Sequence, residues 1–331
     1  MKSSFKHTTT GIVVRGMAMG MAEVIPGVSG GTIAFITGIY ERILDAISGV
    51  GPKMKTVWVE DGFKGLWGYF DGTFLLKLAI GMLLGIVSGV LGVSYLIENH
   101  AEALWAFFFG LIIASIIYVF RKIGKPNFKI WIAFVLGTVV AYVITAMYPM
   151  QGSSNLIFVF LAGMIAICAL ILPGVSGSFM LLIMGMYSLI LSSFKNLLTE
   201  PNTQDFLLLF VFGLGCLVGL LSFSKIVSKF YKTYPSITLA TLAGFMLGSI
   251  HKIWPWRNPY LIMDKETNKI VPALERFPGL ENWEPKETIK VVMEVNVFPS
   301  EYYSEPHFWP VIISALIGFS LVGVLTFSSK N

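Results

Sequence analysis

Charge is what this sequence has least of. Of its 331 residues only 13% are Asp, Glu, Lys or Arg, against 55% hydrophobic, and the mean hydropathy is +0.74. A soluble domain of this size cannot hide so much apolar surface, so the composition makes lipid the solvent for most of the chain. The net charge of +5 is mild, and the basic residues are spread through loops rather than gathered in one tract. That excludes a nucleic-acid footprint and favours contact with anionic headgroups of membrane lipids. Cysteine is scarce too. Cys168 and Cys216 both fall inside apolar runs, which argues against a disulfide framework or thiolate metal site and for packing thiols. The four histidines (His7, His100, His251 and His307) lie at or near span ends or in loops, without metal-ligand or triad spacing. No P-loop or dinucleotide fingerprint appears, so no cofactor is expected and ATP hydrolysis within the chain is not either.

What is present is a series of long apolar runs. Six can cross a bilayer core: 74–97, 103–120, 130–148, 206–223, 236–251 and 308–327. Two further segments are interrupted. Residues 22–40 read AEVIPGVSGGTIAFITGIY, and residues 169–187 read ALILPGVSGSFMLLIMGMY. The apolar piece before the first break, 11–22, makes about 18 Å of helix, well short of a core about 30 Å thick. Pro26 removes a backbone donor, and Gly27, Gly30 and Gly31 weaken a helix across the join. A pair of half-helices that dips in and returns on the same side fits 11–47, and a second pair fits 155–193. Two full spans per dip would give the same parity; length alone disfavours them, less so in the longer second dip. The polar start, Met1–Thr10, and the apolar stretch around Arg15 show no prominent cleavage site and read as part of the mature protein.

Loop charge supports that count. Lys2, Lys6, Arg15, Arg42, Lys53, Lys55, Lys64, Arg121, Lys122, Lys125, Lys129, Lys225, Lys229 and Lys232 fall on one face if each dip counts as zero crossings. By the positive-inside rule that face is the cytoplasm, with both termini there, in the cytoplasmic membrane. The polar insertion 252–307 is then extracytoplasmic, with Trp254, Trp256, Trp283, Tyr302 and Tyr303 as interfacial aromatics or part of a lid.

The two breaks also align. Pro26/Pro173, Gly27/Gly174, Val28/Val175, Ser29/Ser176, Gly30/Gly177, Gly38/Gly185 and Tyr40/Tyr187 match at one offset. Phe74–Leu76 then parallels 206–208, and Gly110, Ser115 and Ile116 parallel Gly244, Ser249 and Ile250. The expected fold is an all-α polytopic membrane protein of two repeats, 1–148 and 155–328, each one dip plus three spans. An odd number of crossings per repeat inverts the second copy relative to the first, as in many secondary transporters.

A helix start presents free N–H groups and a positive dipole end, both suited to an anion. Gly27 to Gly31 permit close backbone approach, Ser29 and Thr32 add hydroxyls, and Ser176 and Ser178 play that part in the second copy. Two such cradles aimed at one point would hold an oxyanion such as phosphate or carboxylate. The plainer alternative is that Pro and Gly only kink ordinary membrane helices. Arg15 and Glu23 lie in the first half-helix, where ionisable groups are costly. Arg15 can snorkel to the interface; Glu23, beside the break, could carry a proton or pair with Arg15 two turns away.

The stretch AEVIPGVSGGTIAFITGIYERILDAI and its echo LILPGVSGSFMLLIMGMY resemble a bacterial and archaeal family of polyprenyl-phosphate transporters. The likeness covers nearly the whole chain. It implies return of undecaprenyl phosphate, a carrier lipid, from the outer to the inner leaflet. It also implies a headgroup site of Glu23, Pro26, Gly27, Ser29, Gly30, Gly31, Thr32, Pro173, Gly174, Ser176 and Gly177. Undecaprenyl-pyrophosphate phosphatases are a related likeness, with Pro-Gly-x-Ser followed by Arg-Ser. Here Gly30 and Gly177 stand where that arginine would be, which removes the obvious charge for phosphoryl transfer. A non-enzymatic carrier is therefore expected, with protons or another ion as the coupling partner. Its alternatives are a transporter of a small soluble anion, a membrane phosphatase and a structural scaffold.

Overall fold

The computed structural model describes residues 8–24, 28–51, 53–147, 149–264, 270–273 and 289–327. Its helices are α1 (Thr9–Glu23), α2 (Gly30–Ile36), α3 (Tyr40–Ser48), α4 (Lys53–Tyr69), α5 (Gly72–Asn99), α6 (Ala101–Ile123) and α7 (Phe128–Ala146). They continue as α8 (Leu156–Ile171), α9 (Gly177–Ile183), α10 (Tyr187–Thr199), α11 (Thr203–Thr233), α12 (Pro235–Ser249) and α13 (Phe308–Phe327). Among the described residues, five helices are long and apolar enough to cross a membrane: α5, α6, α7, α11 and the run Pro235–Ile253. The protein is a multi-pass membrane protein. Apolar side chains point outward as well as inward along these helices: Leu83, Leu136 and Leu217 are all exposed, as lipid-facing residues are.

Both interrupted segments break where the sequence places the breakers. α1 has 15 residues and α8 has 16, about 22–24 Å of helix each, short of the bilayer core. Each is followed by a seven-residue helix, α2 or α9. α9 and α10 meet at a bend of 108°. α1 packs along α5, where Gly16 and Gly20 face Gly81 and Gly85 so closely that a Cβ on any of them would strike the other helix's backbone. α8 packs along α11 in the same way through Gly163, Gly215 and Gly219. Small residues let helix backbones approach in lipid, where dispersion and not water drives association. α6 pairs with α13, and α7 with α12. The main core lies where these pairs meet, around Val28, Ile33, Leu44, Phe74, Ile112 and Met246.

The expected spans match helices within a few residues, with one extension. The run 206–223 is the apolar part of the 31-residue α11. Beyond Phe223 the sequence turns polar, yet the helix continues because its tail has protein partners. Ser228 donates to Asp45 at 3.1 Å, and Lys232 pairs with Asp45 at 2.6 Å.

Two features are additions to the sequence reading. Residues 53–69, expected as a loop, form α4, two helical pieces kinked at Gly62 (φ +58°), which buries none of its residues and exposes Trp58, Val59 and Phe63. An exposed helix with aromatic and lysine side chains next to a membrane bundle suits the lipid interface. The insertion, within a chain expected to be all-α, carries an antiparallel sheet. Strands β1 (Arg257–Asp264), β2 (Ile270–Pro272) and β3 (Ile289–Asn296) lie in the order β2-β1-β3. Ile262 and Ala273 form its small core with Val271, Val291 and Tyr303. Trp256 packs on Ala106 and Val311, fixing the sheet to α6 and α13.

Candidate functional site

Ser29 is the N-cap of α2. Its extended backbone turns the chain, and its Oγ accepts the Gly31 N–H at 3.1 Å. This satisfies one of the amides that a helix start leaves free. Glu23, the last residue of α1, satisfies another: its Oε1 accepts the Gly30 N–H at 2.6 Å. The carboxylate is half-buried and bridges the break, tying the end of one half-helix to the start of the next. Charge and donor reinforce one another there, because a carboxylate at a helix N-terminus meets both the N–H and the positive dipole end.

The second break meets the first through side-chain and backbone contacts. Ser29 Oγ lies 3.4 Å from the Leu172 carbonyl, to which it donates. Thr32 Oγ1 accepts the Gly174 N–H at 2.9 Å. Gly31 sits against the end of α8: a Cβ there would lie 2.8 Å from the Leu170 carbonyl oxygen and 3.0 Å from that of Ile171. Gly174 has φ +91°, a conformation open to glycine, and presses on the backbone of Met246 in α12. The two glycines thus serve different ends, one closeness and the other a turn. Ser29, Thr32 and Ser176 are each about 1% exposed, so hydroxyls and amides gather in a setting otherwise filled by apolar side chains.

The two halves are not equivalent in detail. Ser176 occupies the N-cap of α9 but makes no cap bond; its Oγ pairs with Ser178 Oγ at 2.8 Å. The first break is closed by its own carboxylate and hydroxyl. The second keeps a hydroxyl pair at its mouth. At both breaks the N–H and O–H groups named here are engaged within the protein: Gly30 and Gly31 by Glu23 and Ser29, Gly174 by Thr32, and Ser29 by Leu172.

Of the residues expected at the site, Glu23, Ser29, Gly30, Gly31, Thr32 and Gly174 come together through these contacts. Pro173, Ser176 and Gly177 are buried beside them, and Ser178 is half-buried. Pro26 and Gly27 lie outside the described residues. Arg15 stands apart. Its Nη1 donates to the Gly11 carbonyl at 3.0 Å, directing the guanidinium toward the start of α1, whereas Glu23 lies at its end. Sequence reasoning missed the carbonyls of Leu170, Ile171 and Leu172, which no side-chain pattern can reveal. Outside the junction, Tyr40 of α3 packs edge-on against Phe35, and its buried hydroxyl has no hydrogen-bond partner among the described residues.

Comparison with known proteins places both breaks inside a recognised family. Residues 19–271 match the family model described as VCA0040-like, undecaprenyl phosphate translocase-like. A polyprenyl-phosphate transporter of Vibrio cholerae serotype O1 is 40% identical over 263 residues, covering 80% of this chain and 83% of that one. A polyprenyl-phosphate transporter of Staphylococcus aureus is 33% identical over 263 residues, covering 76% of this chain and 88% of that one. No solved structure matches. With more than half its length matched and both broken helices inside the match, the chain belongs to the VCA0040-like, undecaprenyl phosphate translocase-like family.

Proposed function

We propose that this protein is a transporter, not an enzyme, that returns polyprenyl phosphate of the undecaprenyl class from the outer to the inner leaflet of the cytoplasmic membrane. The observation that carries this reading is the junction of the two breaks, Thr32 on Gly174 and Ser29 on Leu172, inside the family match. Hydroxyls and amides there suit a phosphate headgroup, while the isoprenoid tail stays in lipid and needs no polar path. The relatives named above are transporters of polyprenyl phosphate, which favours the lipid over a small soluble anion.

Inverted repeats give this junction its motion. The helix pairs support them: α1 on α5 corresponds to α8 on α11, and α6 on α13 corresponds to α12 on α7. Gly110 of α6 meets Ala315 of α13, and its counterpart Gly244 of α12 meets Phe134 of α7. With α1–α3 and α8–α10 as oppositely directed dips, rocking one repeat against the other exposes the junction first outside and then inside. The loop charges orient the molecule with Arg121 to Lys129 in the cytoplasm and the insertion outside.

Moving one negative charge inward against the membrane potential costs about 2.3 kcal/mol per 100 mV. A proton travelling on Glu23 or on the phosphate offsets that cost. Glu23 is placed for it, because a substrate phosphate reaching the Gly30 amide must displace its carboxylate. Leaflet-resolved accessibility of undecaprenyl phosphate, in liposomes with and without the purified protein, tests the reading. Protein-dependent loss of the outer-leaflet pool is expected. An unchanged pool, or release of inorganic phosphate from the pyrophosphorylated lipid, would overturn it.

A further inference from the structure

A second set of charged groups lies away from the junction. α12 ends in a 3-10 turn, Ile250–Ile253, in which buried Ile253 fixes the backbone and His251 and Lys252 face the insertion. Asn296 of β3 donates to the His251 carbonyl at 2.9 Å, and Arg257 of β1 donates to that of Lys252 at 3.0 Å. Arg257 is itself spoken for: it pairs with Glu294 at 3.0 Å and lies over the Trp105 ring at 4.4 Å. Lys252 is not. Its half-buried ammonium sits 5.2 Å from the centre of the Phe179 ring, and no carboxylate lies within ion-pair distance among the described residues.

These groups border a cavity of about 510 Å³ between the end of α7, the wall of α9 and strand β3. Phe179, Leu182 and Ile183 supply its α9 wall, Tyr142 and Met147 the opposite one. The cavity is open on one side and amphipathic, with an apolar α9 wall facing a rim of His251, Lys252, Arg257, Glu294 and Asn296, and a space of this size can take the polar end of a small amphiphile. Phe179 follows Ser178 directly in sequence, so the cavity adjoins the same short helix that starts at the second break, about one turn away. Among the described residues Glu294 is the one acid on its rim, and it is paired with Arg257. A half-buried cation whose nearest described carboxylate, Glu294, is already paired with Arg257 is incompletely balanced, and an anion entering from outside would balance it.

We propose that this cavity is an entry site for a phosphate monoester carried on an apolar chain, with Lys252 holding the phosphate and the α9 wall taking the first part of the chain. The assignment rests on the lipid-transport reading above and places the first contact on the insertion side, before the junction. Full-length protein in nanodiscs is titrated with undecaprenyl phosphate and, separately, with inorganic phosphate. Wild type, Lys252→Gln and Lys252→Arg are compared at low and high salt, with a melting temperature for each. The lipid phosphate is expected to bind wild type, and Lys252→Gln to weaken it at least fivefold at low salt. Lys252→Arg retains affinity, and salt narrows the gap between them. Any smaller change in Lys252→Gln overturns the entry site while leaving lipid transport standing. Lys252-dependent binding of inorganic phosphate but not of the lipid overturns the entry site as a lipid-phosphate site and the lipid-transport reading with it. Binding of neither ligand overturns both. Should Lys252→Gln not fold, Leu182→Asp, which sets a fixed anion in the cavity, carries the same fivefold criterion.

Discussion

Thr32 and Gly174 stand 142 residues apart and share a hydrogen bond of 2.9 Å, the threonine hydroxyl accepting the glycine amide. Thr32 is in the first turn of α2, while Gly174 sits in the turn before α9. Each therefore holds the other's break open as a turn, and neither half can straighten without stranding a buried donor. Thr32→Val keeps the shape and removes the acceptor. An unsatisfied buried amide costs about 1–3 kcal/mol, so a matching fall in stability is expected, together with loss of lipid transport. Thr32→Ser should restore both. Normal stability and transport in Thr32→Val would mean that water or another group serves Gly174, and that the junction is not held as described.

Gly174 itself should tolerate no side chain. Its φ of +91° is strained for alanine, by about 1–3 kcal/mol, and a Cβ would lie 2.8 Å from the Met246 backbone. Gly213 is the comparison, a helical glycine of α11 with nothing within 4 Å of its Cβ position. Gly174→Ala is expected to express poorly and melt low, whereas Gly213→Ala stays within about 1 kcal/mol of the parent. Equal melting temperatures for the two would show that the break at Gly174 is free to relax.

Much of this is legible in the sequence. The apolar runs marked the helices because length and hydropathy alone decide what crosses lipid, and the repeated Pro-Gly-Val-Ser-Gly marked where they break. The helix of α4 was hidden because Trp58, Val59 and Phe63 are interleaved with charge at a level too low for a span. The tail of α11 was hidden because Ser228 and Lys232 look like loop residues until Asp45 is placed beside them. Within the site, Glu23 and Ser29 were readable as residue types beside a helix start. Their partners were not, since Gly30 N–H and Leu172 C=O are backbone atoms whose positions depend on how the halves meet.

Glu23 separates structure from transport. In Glu23→Gln the side-chain carbonyl can still accept the Gly30 N–H, so α2 keeps its cap and stability should change by less than about 1 kcal/mol. The amide cannot carry a proton, and import is expected to fall at least tenfold and to lose its dependence on external pH. Glu23→Ala also removes the acceptor and should cost about 0.5–2 kcal/mol in stability. Uptake by Glu23→Gln that follows the wild-type pH profile would take Glu23 out of proton coupling.

Tyr302 ties the insertion to α6, its hydroxyl donating to Glu102 at 2.5 Å. Burial raises the phenol's pKa, and the bond to Glu102 and that residue's negative charge raise it further. The neutral phenol is the form that donates, and an unfolded tyrosine titrates near about 10. The folded value lies above this, so the contact is fully present below about pH 10 and is lost as pH rises through the folded value. Protease sensitivity of the insertion should therefore climb at alkaline pH in wild type. Tyr302→Phe cannot ionise. It should start looser, by about 1 kcal/mol for the lost bond, and show no such rise. If Tyr302→Phe climbs at the same pH as wild type, the alkaline loosening belongs to another group and Tyr302 is not the latch.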